Sequence, residues 1–319
     1  MKKTMLSVLF CSDTLDGLCS AACVYRALKL KGMTVRIGGI LRTESKERDL
    51  QELADQLNVG LFVIDFPPDA IPDLAAFLNR VSGRCTIAYW SFSQPQTPET
   101  LALLSQHVKR VDYAETAPGS FPKDKLSSTE LAAFRFLPGD PVGRVLAKLA
   151  ADIKFWLRQD ERATKLADLI ASGYDPKAII EALSKGMVWD HVFEQARTDY
   201  LGKKAKAFED LMKRLTIKEY LTYKLGFSLS APILSTADAC QYILDRHVAV
   251  DVAVVLYKSG KIAFRRRDGV DIDLAKLGKR FGGGGQKFAS GGMFNAAVSV
   301  EHWDNVLATL DRALKDHFL

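Results

Sequence analysis

The chain has 319 residues, of which 48% are hydrophobic and 26% charged, with a formal net charge of +6. That composition supports two cored domains and excludes a disordered or repeat protein, and no apolar run is long enough to span a bilayer as a helix. The mild positive balance favours an anionic partner without establishing nucleic-acid binding.

In the first half of the chain, apolar runs alternate with amphipathic stretches. Met5–Cys11 is expected as a buried strand, followed by a helix over Leu18–Lys31, a strand over Thr34–Ile40 and a charged helix over Lys46–Leu57. Leu61–Asp65 is a short apolar strand ending in an acid, Pro72–Val81 a helix and Cys85–Trp90 a fourth strand. Such alternation predicts an α/β domain with a mostly parallel sheet covered by helices on both faces. Ligands of such sheets bind beyond the carboxyl ends of the strands, so Ser12–Gly17, Asp65–Pro68 and Ser91–Pro95 are expected to line one crevice. From Ser128 the pattern is helical, over Ser128–Phe136, Gly143–Gln159, Glu161–Ala171, Pro176–Lys185 and roughly Asp190–Leu215. The domains are expected at 1–215 and 231–319, joined by a linker over 216–230. The second is a smaller α/β domain, with helix Ala237–Arg246, strands Val250–Tyr257 and Lys261–Arg267, helix Ile272–Phe281, strand Gly292–Val298 and a closing helix His302–His317.

The most informative stretch is Gly282-Gly283-Gly284-Gly285-Gln286-Lys287-Phe288-Ala289-Ser290-Gly291-Gly292. Glycines let a backbone approach a bound group closely, and successive exposed N–H groups can form an anion site. The run follows a helix with Lys276, Lys279 and Arg280 in its last turn and a strand ending in Arg265-Arg266-Arg267. Arg265, Gly283, Gly284, Gly285, Gln286 and Lys287 are therefore the candidate phosphate-binding residues, against the plainer reading of a flexible glycine turn.

Phe264–Phe294 resembles the C-terminal substrate-binding domain of the DHH phosphoesterase superfamily, which includes RecJ-type exonucleases, nanoRNases and related polyphosphatases. The family signature there is Gly-Gly-Gly-His, and Gln286 stands at the His position. The resemblance implies a first domain with four metal-ligand motifs, whose two divalent ions activate a water and steady the phosphate oxygens. The first motif corresponds to Ser12-Asp13-Thr14-Leu15-Asp16-Gly17-Leu18-Cys19-Ser20-Ala21-Ala22, with Asp16 at the last acid position and Ser12 and Thr14 where the family has His and an acid. Asp65 keeps the second, strand-terminal acid. The third, Asp-His-His, is replaced by Ser91-Phe92-Ser93, and the fourth falls on Lys154, with Asp152 nearby.

The histidines are His107, His191, His247, His302 and His317, so none lies in the first 106 residues. A metal site would rest on Asp16 and Asp65, helped by Asp13 or Asp152, and a lysine at the fourth position would repel metal and neutralise part of its space. Plainer readings give Asp16 a helix cap, Asp65 a turn and the five cysteines (Cys11, Cys19, Cys23, Cys85, Cys240) reduced core thiols. The expectation is a cytoplasmic phosphoesterase-like protein that binds a nucleotide or short single-stranded nucleic acid, needs no cofactor and has lost two-metal hydrolysis. The alternatives are an active phosphoesterase with a rebuilt Mn²⁺ or Mg²⁺ site, and a non-catalytic scaffold that dimerises or holds a protein partner.

Overall fold

The computed structural model describes residues 5–42, 46–117, 119, 125–296 and 298–318, with no side chain described beyond Lys315, so the side chain of His317 lies outside the described residues. The chain divides into two compact units, 1–198 and 199–319. No helix among the described residues is long and apolar enough to cross a membrane.

The first unit is built on strands β1 (Ser7–Ser12), β2 (Val35–Leu41), β3 (Gly60–Ile64), β4 (Thr86–Ser91) and β5 (Val111–Asp112), in the order β2-β1-β3-β4-β5. Every pairing is parallel. Side chains alternate across such a sheet, so each strand feeds two cores. Leu9, Cys11, Phe62 and Ile64 face one, and Val8, Phe10, Leu61 and Val63 face the other. The first core is closed by α1 (Leu15–Leu30) and by a helical block introduced below; the second is closed by α2 (Lys46–Ala54), α3 (Leu74–Ser82) and α4 (Pro98–His107). This is the α/β layering expected from the sequence. The strand order reverses direction beside β1, which places a crevice at the carboxyl ends of β1 and β3.

The helical block comprises α5 (Ser128–Phe136), α6 (Pro141–Lys154), α7 (Glu161–Ala171) and α8 (Pro176–Ser184), followed by α9 (His191–Lys213), which runs across the division between the units. Helix α5 opens with a capping box: Glu130 N–H donates to Ser127 Oγ while Ser127 N–H donates to Glu130 Oε2. Helix α6 ends at Lys154, five residues short of the expected Gln159. Trp156 and Arg158 have φ of 56°, which breaks the helix. Helix α4 and β5 were not expected at all, although Thr97 caps α4 and Pro98 sits in its first turn.

The second unit carries a sheet in the order β10-β11-β9-β8-β7-β6, from β6 (Thr216–Tyr220), β7 (Tyr223–Ser230), β8 (Val252–Tyr257), β9 (Lys261–Arg266), β10 (Gly284–Gln286) and β11 (Ala289–Met293). Only β7 and β8 run parallel, across the helix α10 (Thr236–Arg246). The segment expected as linker, 216–230, instead forms the antiparallel pair β6–β7. Its outer strand is polar because it lies on the sheet edge, where charged residues are tolerated. Helix α10 packs on one face, while α11 (Leu274–Arg280) and α12 (Trp303–Phe318) close the other.

Candidate functional site

Strand β1 delivers Ser12, Asp13 and Thr14 to the crevice, and β3 delivers Asp65. Thr14 caps α1, its Oγ1 accepting from Gly17 N–H at 2.9 Å. Gly17 lets helix and strand approach, since a Cβ there would lie 2.2 Å from Ser12 Oγ. Asp65 holds a left-handed φ of 52° and is braced by Ser91, whose Oγ accepts from Asp65 N–H at 3.3 Å and whose carbonyl accepts from Phe66 N–H at 3.1 Å.

Thr14, rather than Asp16, caps α1. Asp16 reaches across to the start of α5 and is saturated there. Its Oδ1 accepts from Thr129 N–H at 2.8 Å and Thr129 Oγ1 at 2.7 Å, and its Oδ2 accepts from Ser128 N–H at 2.9 Å. Lys154 Nζ donates to the same Oδ2 at 2.6 Å, and also donates to Ser93 Oγ. A carboxylate offers about four acceptor positions, so Asp16 has none to spare. Asp65 is nearly as full: Oδ2 accepts from Ser12 Oγ at 2.6 Å and Thr14 Oγ1 at 3.0 Å, and Oδ1 accepts from Ser128 Oγ at 2.6 Å. Burial and the neighbouring Asp16 charge push the Asp65 carboxyl up to about 6, against the opposing pull of Lys154, Ser12 and Ser128.

The remaining candidates lie apart from this network. Asp13 is exposed at the rim. Asp152 is buried but serves the loop after α6, its Oδ1 accepting from Gln159 N–H at 2.7 Å. The cleft above the network consists of adjoining cavities of about 260 and 250 Å³ that share Thr14, Asp65 and Gln94; Lys154 lines the first and Lys46 the second. Gln94 lies in the Ser91–Pro95 loop expected at the crevice, whereas sequence reasoning missed the Ser128–Thr129 donors, although Ser127-Ser128-Thr129-Glu130 carries the spacing of a capping box.

These donors do not fit a pair of divalent ions. No group of three or more His, Cys, Asp or Glu among the described residues is placed to hold a metal. The carboxylates are filled by protein donors, and an ammonium already supplies positive charge at Asp16.

In the second unit the glycine run forms a hairpin, with Gly284, Gly285 and Gln286 opposite Gly291, Ser290 and Ala289. Residues directly opposite in an antiparallel pair share a face. Gln286, Ala289 and Arg265 therefore lie on one face with Gly284 and Gly291. Gly285 and Ser290 lie on the other, against α11. The glycines serve different ends: a Cβ on Gly283 would lie 2.1 Å from the Gly291 carbonyl oxygen, whereas one on Gly284 would meet nothing within 4 Å. The three arginines of β9 also differ. Arg267 donates to the carbonyls of Leu244, His247 and Val250, and Arg266 to those of Val270 and Lys287. Arg265 is half-buried and has no hydrogen-bond or ion-pair partner among the described residues. Lys287 occupies the turn and is exposed.

Several solved structures are similar to this chain over nearly its whole length. The DHH domain of a member of the S1p family of ribosomal proteins aligns at a TM-score of 0.59 and 12% identity, covering 98% of this chain and 87% of that one. The exonuclease RecJ bound to manganese aligns at 0.57 and 13%, covering 99% and 91%. This chain shares the fold of that DHH domain and of that exonuclease. CDC45 from Entamoeba histolytica shares it at 0.54 and 9% identity, covering 99% and 96%. Neither a family model nor a curated protein matches the sequence. At these identities the likeness is one of fold, and function rests on the site.

Proposed function

We propose that this DHH-fold protein binds a phosphate-bearing ligand, a nucleotide or a short single-stranded nucleic acid, and does not perform two-metal hydrolysis. One observation carries the reading: the Lys154 ammonium lies 2.6 Å from Asp16, at the position where the family's fourth motif has a metal ligand. A cation fixed to the chain neutralises Asp16 at any metal concentration. Removal of the metals leaves phosphate capture as the function the remaining parts can serve. The open hairpin face supports it: Arg265 shares that face with Gln286 and Gly284 across β11 and has no partner among the described residues, and Lys287 lies in the turn. A guanidinium recognises phosphate oxygens in bidentate fashion, and a bare glycine backbone lets them come close. Gln286, where the family has histidine, keeps a hydrogen-bonding group but cannot carry charge.

Two assays test this. Hydrolysis of a short oligonucleotide and of a phosphodiester dye in Mn²⁺ should show no turnover above background; metal-dependent turnover abolished in Asp65→Asn would overturn the reading. Calorimetric titration of pyrophosphate should give saturable binding that weakens about tenfold in Arg265→Ala, the scale of one charge-assisted contact. Absence of binding to the unaltered protein would also overturn it.

A further inference from the structure

A further cavity, of about 410 Å³, lies between α5 and α6 and is larger than either cavity of the crevice. Residues three and four apart share one face of a helix. Helix α5 contributes such a stripe, with Glu130, Ala133, Phe134 and Leu137, and α6 contributes another, with Arg144, Ala147 and Lys148. Ala133 and Ala147 carry only methyl groups, so the space between the stripes is left unfilled. Leu131 and Ala132 of α5 are buried, while the Phe134 ring beside the cavity is 43% exposed. The frame is fixed at the turn joining the helices. Asp140 Oδ1 accepts from Gly143 N–H at 3.0 Å, and a Cβ on Gly143 would already lie 3.4 Å from those of Ala133 and Leu137.

The charges on this lining are two cations against one acid. Glu130 is engaged by the α5 cap, its Oε2 accepting from Ser127 N–H at 2.7 Å and from Ser127 Oγ at 2.9 Å. Asp140, in the turn, is paired with Arg26 at 3.1 Å. Arg144 and Lys148 are exposed, stand one turn apart on α6 and have no hydrogen-bond or ion-pair partner among the described residues. A concave, mostly apolar hollow of roughly 300–1,000 Å³ with a few placed polar groups is the usual form of a small-molecule site. Here the walls suit an apolar body, and the excess positive charge suits a single anionic head. A guanidinium matches the two oxygens of a carboxylate, and a lysine adds a point charge beside it. We propose that the α5–α6 cavity binds a small amphipathic carboxylate, with its apolar body against Phe134 and Leu137 and its head held by Arg144 and Lys148. The site lies wholly within the first unit and is independent of the phosphate reading.

Calorimetric titration of the full-length protein with octanoate tests this and should give saturable binding. Hexanoate, shorter by two methylenes, should bind about tenfold more weakly. 1-Octanol, which keeps the chain and lacks the charge, should also bind about tenfold more weakly. Arg144→Gln combined with Lys148→Gln should weaken octanoate about tenfold while leaving 1-octanol unchanged. Both positions are exposed, so the double variant should fold, which an unchanged melting temperature verifies. Ala147→Phe, which fills the hollow, should abolish binding of both probes. Pyrophosphate should bind the unaltered protein and the double variant equally. Absence of saturable octanoate binding to the unaltered protein would overturn the proposal, as would octanoate affinity unchanged in the double variant or equal affinity for octanoate and 1-octanol. Octanoate failing while pyrophosphate binds would sink this site alone, and pyrophosphate failing while octanoate binds would sink the phosphate reading alone.

Discussion

The crevice of the first unit and the glycine hairpin of the second carry the residues expected to act, and they differ in how those residues are occupied. In the crevice, Asp16 accepts four protein donors, one of them the Lys154 ammonium, and Asp65 accepts three hydroxyls. In the hairpin, Arg265 has no hydrogen-bond or ion-pair partner among the described residues, and a Cβ on Gly284 would meet nothing within 4 Å. Polar groups whose partners are built into the chain contribute stability and specificity of fold. Polar groups held without partners at a surface are available to a ligand. The comparison teaches that acids at the end of a sheet can be held as braces by the chain's own donors while a cation elsewhere is left open to a ligand.

The largest expected effect tests the braced side. Lys154→Ala removes the cation from a partly buried pair, and breaking such a pair typically costs several kcal/mol. Because Lys154 keeps a quarter of its side chain exposed, a loss of about 2 kcal/mol at pH 7.5 is expected in urea unfolding. A loss below about 0.5 kcal/mol, the scale of an ordinary surface substitution, would contradict the bracing role.

Asp65 sharpens the same side through pH. Its folded-state carboxyl is raised from 3.8 to about 6, so between these values the native chain holds a proton that the unfolded chain has released. Stability is therefore greatest below that window and falls as pH rises through it, by roughly 3 kcal/mol at most. Asp65→Asn should flatten this slope; an unchanged slope would place the titrating group elsewhere.

The hairpin glycines should separate fold from binding. Gly283→Ala forces a Cβ against the Gly291 carbonyl and is expected to destabilise the second unit by about 1–3 kcal/mol, the usual scale of overpacking. Gly284→Ala meets open space and should change stability by less than about 0.5 kcal/mol while weakening pyrophosphate binding several-fold. Equal effects of the two substitutions on stability would erase the distinction.

Much of the fold was legible because buried parallel strands announce themselves as apolar runs, as Leu61–Ile64 does before Asp65. The parts that were not legible lack that signal. Strand β6 is a polar sheet edge, and β10 is made of two glycines and Gln286, so neither carries an apolar pattern. The end of α6 depends on Asp152 reaching forward to Gln159, a tertiary detail of the loop that helical periodicity does not encode. In the site, residue identity was readable and geometry was not. Asp16 and Asp65 were found, but their saturation depends on Ser128 and Thr129, more than a hundred and more than sixty residues away in sequence respectively. Asp152 sits two residues from Lys154 in the chain, yet turns towards the loop rather than the crevice.

The most direct test of the substituted cation is anomalous scattering from crystals grown with Mn²⁺. No anomalous peak should lie between Asp16 and Asp65, and Lys154 Nζ should be found within hydrogen-bond reach of Asp16. A manganese peak coordinated by both carboxylates, with Lys154 displaced into solvent, would contradict it.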